Sequence, residues 1–351
     1  MSDETEELRL DLIYWRRKAQ AADRSRHRER MLKGAVTDEI VEAVKQAIVD
    51  LPRPAVHNPG RAKPDRTAIR RAVNALYSDQ HYGLIVDPEE VPGNVYDFAT
   101  AMRRTQQYAD ILADYKTDHR AESRVLVHDV GDSIHGSLHG YRELDLPSQF
   151  YQAIKCKIAF YRTLVEAYPS VDVIVEEGNH DRDILVNPGR ATAQKYRGWN
   201  KAMGRILETY FETVPRIRFH IAKTPYFLYN ILGHQGVSTH GDTVFGKGGT
   251  PSKSVKTAPL VTELQNLQIA QMALPDFVRS ERIRVLAMGH YHTPLVLHLP
   301  WGCYLAVNGA LSGGDPFAQS IGQHASQPSQ LLWETTEKHP VGDLRVAELD
   351  I

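Results

Sequence analysis

The sequence predicts an α/β layered fold that is preceded by a helical arm. From Arg70 onward, short apolar runs alternate with amphipathic helical stretches, which is the pattern of layered α/β domains. Several of the apolar runs end directly in Asp, Asn or His. Because binding crevices in α/β sheets form at the carboxyl ends of the strands, we expect a functional site along that edge.

Length and composition are those of a soluble enzyme and exclude several other classes of protein. The chain has 351 residues and a formal net charge of −1, so any nucleic-acid binding must come from a local patch. Its two cysteines provide neither a disulfide framework nor a zinc-type pair. No apolar run approaches the length of a membrane span, and the N-terminus lacks a signal-peptide core. We therefore expect a cytoplasmic protein with no membrane partner.

The chain before the main domain is predicted to form an arm and a linker. Residues 1–50 form the helical arm, whose first helix (residues 3–33) has an apolar stripe and a basic second half. The proline-rich residues 51–69 predict an extended linker, which leaves residues 70–351 as the main domain. The basic turns either form a solvated face of a packed helix or contact a phosphate backbone. In the first case the arm is a candidate element for homo-oligomer formation.

The main domain is predicted to alternate strands with helices in chain order. Helices are assigned where apolar residues recur at helical spacing, and strands where a short apolar run ends in Gly or a polar turn residue. Pro147 suits the first turn of a helix. The predicted helices cover residues 96–115, 147–167, 199–214 and 260–272. The predicted strands cover residues 72–77, 124–130, 171–175, 226–232, 236–239, 283–288, 303–307, 330–333 and 344–349.

Five of these strands end in residue types that bind metal ions. The residues are Asp79 with His81, Asp132, Asn179 with His180, His240, and His290 with His292. A single histidine after a strand is more often a hydrogen-bonded polar residue than a ligand. Five such strand ends in one chain, however, predict a shared site. Mixed carboxylate and imidazole ligands suit Mn, Fe or Zn better than Mg or Ca.

The order of these motifs resembles that of a known enzyme family. Asp79-x-His81, Gly131-Asp132, Gly178-Asn179-His180-Asp181, His240-Gly241 and Gly289-His290-x-His292 are similar to the motif set of calcineurin-like metallophosphoesterases. The likeness spans roughly residues 70–315. The loop after the first motif is more loosely similar to DNA-exonuclease-type phosphoesterases of phage and bacterial genomes. The resemblance implies a four-layer α/β/β/α sandwich, in which two mixed sheets are flanked by helices.

The resemblance also implies a centre with two divalent metal ions, for which we expect Mn²⁺, with Fe or Zn as alternatives. Asp132 would bridge the ions and hydroxide would attack phosphorus, so no Ser or Cys nucleophile is needed. The ligands of the first ion would be Asp79, His81 and His292. The ligands of the second ion would be Asn179, His240 and His290.

Residues near the third motif are assigned further roles. His180 is predicted to stabilise or protonate the leaving oxygen. Asp181 either orients that imidazole as part of the catalytic machinery or caps backbone amides of the turn. Arg182 and His135 are candidate substrate contacts. The alternatives are an ion pair with Asp183 for Arg182 and a surface role for His135.

These features favour a metal-dependent phosphoester hydrolase, most specifically a nuclease acting on DNA. The nuclease hypothesis depends on the basic N-terminal helix, on the proline-rich linker and on the looser of the two similarities. The alternative is a phosphatase or phosphodiesterase for nucleotides or small molecules. Protein phosphatases of this superfamily carry Asp-Arg-Gly where residues 133–137 lie here, which counts against that class. A non-catalytic scaffold of the same fold would be expected to lose ligands such as Asn179, and this chain retains them.

Overall fold

The computed structural model describes residues 70–118, 124–136, 143–182, 198–242, 283–299, 302–316 and 327–349, together with residues 42 and 319. The predicted linker, the predicted helix over residues 260–272, and the predicted arm apart from residue 42 lie outside these residues. None of the described helices is long and apolar enough to cross a membrane.

The described residues form three helices and eleven strands in two sheets. The helices are α1 (Phe98–Asp118), α2 (Leu146–Ala167) and α3 (Trp199–Tyr210). The strands are β1 (Arg71–Leu76), β2 (Arg124–Asp129), β3 (Val171–Val175), β4 (Ile217–Ile221), β5 (Tyr226–Ile231), β6 (His234–Thr239), β7 (Ile283–Met288), β8 (Leu295–His298), β9 (Tyr304–Val307), β10 (Ser329–Thr336) and β11 (Gly342–Glu348). The first sheet has the order β11-β10-β1-β2-β3-β4, and the second has the order β5-β6-β7-β9-β8.

Both sheets are mixed, as predicted. Strands β1 to β4 run parallel, while β10 and β11 pair antiparallel at one side of the first sheet. In the second sheet β6, β7 and β9 are parallel, and β5 and β8 are antiparallel edges. Parallel strands share one carboxyl edge, so most of the predicted motifs fall on the same side of the molecule.

The three helices cover one face of the first sheet. Side chains alternate along a strand, so on β1 Val73 and Ala75 pack in the cluster that contains the helix side chains. Ala72 and Leu76 point to the opposite face and pack among side chains of the second sheet. The two predicted sheets are therefore packed face to face. The predicted helical layer on the outside of the second sheet falls outside the described residues.

A buried network of polar side chains joins the two sheets where they pack against each other. His128 Nδ1 lies 2.9 Å from Ser238 Oγ and Nε2 lies 3.3 Å from Asn74 Oδ1. Since the Asn74 oxygen only accepts, His128 carries its proton on Nε2 and accepts from Ser238 at Nδ1. Asn74 Nδ2 in turn donates to Thr335 Oγ1 at 2.9 Å. Burial lowers the pKa of His128 to about 3, so this imidazole is neutral in the folded protein.

Most predicted bounds differ from the observed ones by one to three residues, and three differences are larger. The helix predicted over residues 199–214 ends at Tyr210, ahead of Pro215, which disfavours helical backbone at the residue before it. Strand β4 was not predicted because its apolar residues alternate with Arg218 and His220 over only five residues. Strand β8 was not predicted either, since its four residues are too few to show a period.

Candidate metal centre

The loops after β1, β2, β3, β6 and β7 meet at one edge of the sandwich and bring the five predicted motifs together. Backbone hydrogen bonds continue strand pairing beyond the sheets. Asp79 N donates to Gly131 O at 3.0 Å, and Gly289 N donates to His240 O at 3.1 Å. The motif residues are therefore held by backbone contacts between neighbouring loops.

Five of the predicted ligands have left-handed backbone conformations. The φ angles are 55° for Asp79, 49° for His81, 53° for Asp132, 74° for His290 and 58° for His292. Such angles are uncommon for residues other than glycine and cost of order 1–3 kcal/mol each. They persist only where the surrounding structure determines them, and they cluster at functional sites.

Two glycines allow the second and third motif loops to touch backbone to backbone. A Cβ on Gly178 would lie 2.0 Å from Asp132 Oδ1 and 2.1 Å from Asp132 N. A Cβ on Gly131, whose φ is +92°, would lie 2.1 Å from Gly178 N. Glycine is therefore required at both positions, because any side chain would push the Asp132 carboxylate out of place.

One group of ligand atoms is formed by residues from the first, second and fifth motifs. Its members, whose ligand atoms lie within 4.8 Å of one another, are Asp79, His81, Asp132 and His292. His292 Nε2 lies 3.0 Å from His81 Nε2 and 3.4 Å from Asp79 Oδ1. We call this the first ligand group.

A second group combines residues of the second, fourth and fifth motifs. The ligand atoms of Asp132, His240 and His290 also lie within 4.8 Å of one another. Asn179 Oδ1 lies 2.9 Å from His240 Nε2, and Asp132 Oδ2 lies 3.2 Å from the same nitrogen. We call these four residues the second ligand group. Asp132 belongs to both groups: Oδ1 accepts from His180 N at 2.8 Å, while Oδ2 faces histidines of each group.

The donor atoms of the second ligand group fit a metal ion. His240 Nδ1 lies 2.7 Å from Val130 O and must donate to it, because a carbonyl only accepts. In the neutral imidazole, Nε2 then presents a lone pair toward the amide oxygen of Asn179 and the carboxylate oxygen of Asp132. Three lone-pair donors that converge in this way are satisfied by a cation. A carbonyl behind a ligating imidazole is also the usual way in which proteins fix its tautomer.

The protonation states agree with ligand roles. Burial, followed by the neighbouring imidazoles His180 and His292, lowers the pKa of His81. Burial also lowers the pKa of His290 to about 4. Burial opposes the ionisation of Asp132, but His240 and His180 outweigh it and hold the pKa of Asp132 well below its usual value. Metal binding needs neutral imidazoles and ionised carboxylates, and these groups are in those states at neutral pH.

His292 is shifted in the opposite direction. Burial disfavours its charged form, but the hydrogen bond and the negative charge of Asp79 outweigh burial and raise the pKa of His292. A cation between these two side chains would replace the proton that they otherwise share.

His180 lies beside the first ligand group. Its Nδ1 donates to the backbone oxygen of His135 at 2.6 Å, which leaves Nε2 as the nitrogen available for chemistry. The ring centroids of His180 and His81 lie 4.6 Å apart. The nitrogens of His81, His135 and His180 form a third converging set, which shares His81 with the first ligand group.

Asp181 caps backbone amides, which is one of its two predicted alternatives. Its carboxylate accepts from the backbone N–H groups of Asp132 (2.7 Å), Ser133 (3.0 Å), Ile134 (3.3 Å) and Gly178 (3.0 Å). The imidazole of His180 is instead oriented by the carbonyl of His135. The structure thus shows the Asp181 carboxylate bonded to the amides of the second and third motif loops.

The two predicted substrate contacts occupy different environments. Arg182 is half-buried, and its Nε donates to Asn179 O at 2.5 Å. Asp183, its alternative partner, lies outside the described residues. His135 is only 3% exposed, with Nδ1 3.4 Å from His81 Nδ1, so it is part of the histidine cluster and not a surface residue.

Three residues near the first ligand group were not predicted: Ser78, Asn308 and Asp315. Ser78 Oγ lies 2.5 Å from Asp79 Oδ2, and Asp315 Oδ2 lies 3.9 Å from His292 Nδ1. Asn308 directly follows the apolar strand β9 and precedes Gly309, as His240 follows β6 and precedes Gly241. That signal could have identified Asn308, whereas Ser78 and Asp315 show no comparable pattern.

Comparisons with known proteins give remote structural likenesses only. No protein-family model and no curated protein matches the sequence. A dimetal phosphatase from Danio rerio is similar at 11% identity and a TM-score of 0.37, over 79% of this chain and 99% of that chain. The hypothetical protein PH1004 from Pyrococcus horikoshii is similar at 10% identity and a TM-score of 0.41, over 80% of this chain and 89% of that chain. The calcineurin-like phosphoesterase YfkN from Bacillus subtilis is similar at 11% identity and a TM-score of 0.31, over 80% of this chain and 89% of that chain. Likenesses this remote assign no function, which is therefore inferred from the site.

Proposed function

We propose that this chain is a phosphoester hydrolase that uses two divalent metal ions. The observation that carries the proposal is the pair of ligand groups that share the Asp132 carboxylate. Asp79, His81 and His292 would hold one ion, and Asn179, His240 and His290 the other. When bound, such a pair of ions supplies an acidified water and stabilises the charge of a transferring phosphoryl group.

His180 is proposed as the residue that handles the proton of the leaving oxygen. Its Nδ1–H is committed to the His135 carbonyl, so a proton is gained or released at Nε2. It is 8% exposed, and its ring lies against that of His81 in the first ligand group. General acid catalysis by such a group contributes typically 10²–10⁴-fold.

Arg182 and His135 are proposed as substrate contacts. The Nε bond from Arg182 to the Asn179 carbonyl places its guanidinium beside the ligand loop. A guanidinium suits phosphate oxygens because it presents a planar fork of donors. His135 lies against both His81 and His180 and is the second candidate for this contact.

The proposed substrate is a phosphodiester, specifically DNA. Support comes from the basic residues in the second half of the first predicted helix of the arm and from the looser similarity of the loop after Asp79-x-His81. Because the whole chain has a formal net charge of −1, the arm would have to supply the attraction to a polyanion. Hydrolysis of nucleotides or small phosphate esters is the alternative.

A substrate panel with Mn²⁺ tests both levels of this proposal. Single- and double-stranded DNA, cyclic nucleotides and aryl phosphate esters are incubated with the wild-type protein, with and without EDTA. His292→Ala, purified in the same way, is the control for contaminating nucleases. DNA cleavage that disappears with EDTA and in His292→Ala supports the nuclease. Strong hydrolysis of monoesters without DNA cleavage would refute it and favour a phosphatase. No hydrolysis of any substrate, despite bound metal, would favour the scaffold.

A second experiment tests the arm. Replacing Arg24, Arg26 and Arg28 with Gln is expected to lower DNA cleavage at low salt and to leave aryl ester hydrolysis unchanged. Positive charges on the arm attract a polyanion much more strongly than a small ester. Equal DNA cleavage by the variant and the wild type would remove the arm from the proposal.

A further inference from the structure

We infer that the loop after β9, residues 308–315, is a positioning element for the first ligand group. Asn308 acts through Ser78 on the Asp79 carboxylate, and Asp315 acts on the imidazole of His292. This inference rests on the proposed two-metal function and identifies residues that tune one metal position without being its ligands.

The contact to Asp79 is a directed chain of hydrogen bonds. Asn308 Nδ2 donates to Ser78 Oγ at 2.9 Å. Because the Ser78 oxygen accepts this bond, its own proton is free for Asp79 Oδ2, 2.5 Å away. The Asp79 carboxylate also accepts from the backbone N–H of His290, at 3.0 Å and 3.1 Å for its two oxygens. The carboxylate thus has partners on two sides.

The orientation of the Asn308 amide is determined by its other partners. Leu331 N donates to Asn308 Oδ1 at 2.9 Å, so the oxygen must face β10 and the nitrogen must face Ser78. The same nitrogen donates to Gln330 Oε1 at 2.8 Å. Ser78, Asn308 and Gln330 are all 0% exposed. A buried network of satisfied partners is rigid, so it holds one rotamer of each member.

The far end of the loop reaches the other side of the same ligand group. Asp315 Oδ2 lies 3.9 Å from His292 Nδ1, which is beyond hydrogen-bond distance but places a carboxylate behind the ring. The opposite nitrogen of that ring, Nε2, is the one that faces Asp79 and His81. A negative charge behind a ligating imidazole raises its basicity, and loss of such partners typically lowers metal affinity 10–100-fold.

The loop between these two ends is held by contacts with the start of α1 and the segment before it. Asn94 Nδ2 donates to Ser312 O at 2.9 Å, and Arg104 donates to Leu311 O at 2.8 Å. Leu311 N also donates to Asp79 O at 3.0 Å. Both Asn94 and Arg104 are buried. The positions of Asn308 and Asp315 are therefore fixed by the fold and not by a bound ligand.

Titration of the full-length, metal-free protein with Mn²⁺ alone in a calorimeter tests the inference. His292→Ala and His290→Ala are the reference variants that show which binding step belongs to which ligand group. Ser78→Ala and Asp315→Asn are expected to weaken the step lost in His292→Ala by about 10–100-fold. The step lost in His290→Ala is expected to remain unchanged. Electron paramagnetic resonance should show loss of the coupled two-manganese signal at the same Mn²⁺ concentration.

Thr335→Val is the matched control. Like Ser78→Ala, this substitution removes a buried hydroxyl that accepts a hydrogen bond from an asparagine, in this case Asn74. Thr335, however, pairs with the start of β1, whereas Asp79 follows the end of that strand. We expect Thr335→Val to bind Mn²⁺ like the wild type. Thermal melts without metal identify a variant that fails to fold, and Asp315→Asn, at a less enclosed position, still tests the loop if Ser78→Ala fails.

Three outcomes would overturn the inference. Wild-type affinity of both steps in Ser78→Ala and Asp315→Asn would show that the loop positions nothing, while the proposed function would stand. If Ser78→Ala, Asp315→Asn and Thr335→Val all weakened both Mn²⁺ binding steps equally, the cause would be general destabilisation of the fold. A wild-type protein that binds no Mn²⁺ would overturn the proposed function and the inference together.

Discussion

The two ligand groups differ in what holds them. In the first group, Asp79 and His292 have other side chains as partners: Ser78, which is directed by the distant Asn308, and Asp315. In the second group, His240 depends on the backbone carbonyl of Val130. A carbonyl cannot be removed by substitution, whereas a side chain can. The contacts to Asp79 and His292 can therefore be changed by substituting residues that never touch the metal, whereas the contact that orients His240 cannot.

The groups are also coupled. They share Asp132, and the backbone N–H of His290, a residue of the second group, donates to Asp79 of the first. Substitutions of shared, neighbouring and remote residues should therefore separate into distinct patterns of metal loss. The following predictions run from the largest expected effect to the smallest.

Asp132→Asn should remove the difference between the groups. The substitution keeps the shape of the side chain but removes the one negative charge that faces histidines of both groups. Both Mn²⁺ steps should weaken together, and phosphoester hydrolysis should fall by at least about 10⁴-fold, since several kcal/mol of charge stabilisation depend on the metals. Calorimetry and initial rates check this. Loss of only one step would mean that Asp132 does not bridge.

His180→Ala should affect neither group. The two Mn²⁺ steps should stay intact while hydrolysis falls by roughly 10²–10⁴-fold, the usual contribution of general acid–base catalysis. Metal content by elemental analysis and rates on an aryl phosphate diester are the measurements. A variant that loses metal would show that His180 acts as a ligand, together with His81 and His135, and the proton-transfer assignment would then be wrong.

Lys157→Met should lower the stability of the fold at the end of β2, the strand that leads to the shared ligand Asp132. Lys157 is fully buried, and its Nζ lies 2.5 Å from Asp129 Oδ2. Asp129 is the last residue of β2 and precedes Asp132 by three positions. Removing the cation leaves a buried carboxylate with only neutral donors, Tyr161 and Asn200. We expect a loss of about 3–5 kcal/mol in the free energy of unfolding, measured by chemical denaturation without metal.

The double variant Lys157→Met, Asp129→Asn provides the control for this prediction. It removes both charges and should recover part of the stability that the single variant loses. If Lys157→Met alone were as stable as the wild type, the buried pair would contribute nothing to the stability of the fold.

His128→Gln should change the pH dependence of stability and leave both ligand groups in place, because His128 joins the sheets away from them. Its pKa is about 3 when folded and about 6.5 when unfolded, so the unfolded chain binds more protons between these values. Its contribution is present above pH 6.5 and is lost as the pH falls toward 3, by at most about 1.4 kcal/mol per pH unit. Denaturation at pH 7.5, 6 and 5 should show a shallower acid loss in the variant than in the wild type. Identical slopes would contradict a neutral, buried His128.

Much of the fold and of the site was predictable because the relevant signals are local. The strands β3 and β7 were predicted with their observed bounds, since both are short apolar runs that end in Gly or polar residues. Strands β4 and β8 were missed because one has polar residues in alternation and the other is very short. The conformations of Asp79 and His81 were not predictable, because left-handed φ angles at residues other than glycine follow from the surrounding loops.

By itself, the sequence determined that ligand-type side chains follow five strands, and the parallel arrangement of most of those strands then brings them to one edge. The tertiary structure alone decided what stands behind each of them. The Asp181 carboxylate caps the amides of Asp132 and Ser133, which are 49 and 48 residues away in the chain. The Ser78 hydroxyl is directed by an asparagine 230 residues away. A short pattern encodes residue type and period, whereas these partners depend on how distant segments pack, so they become visible only in the folded chain.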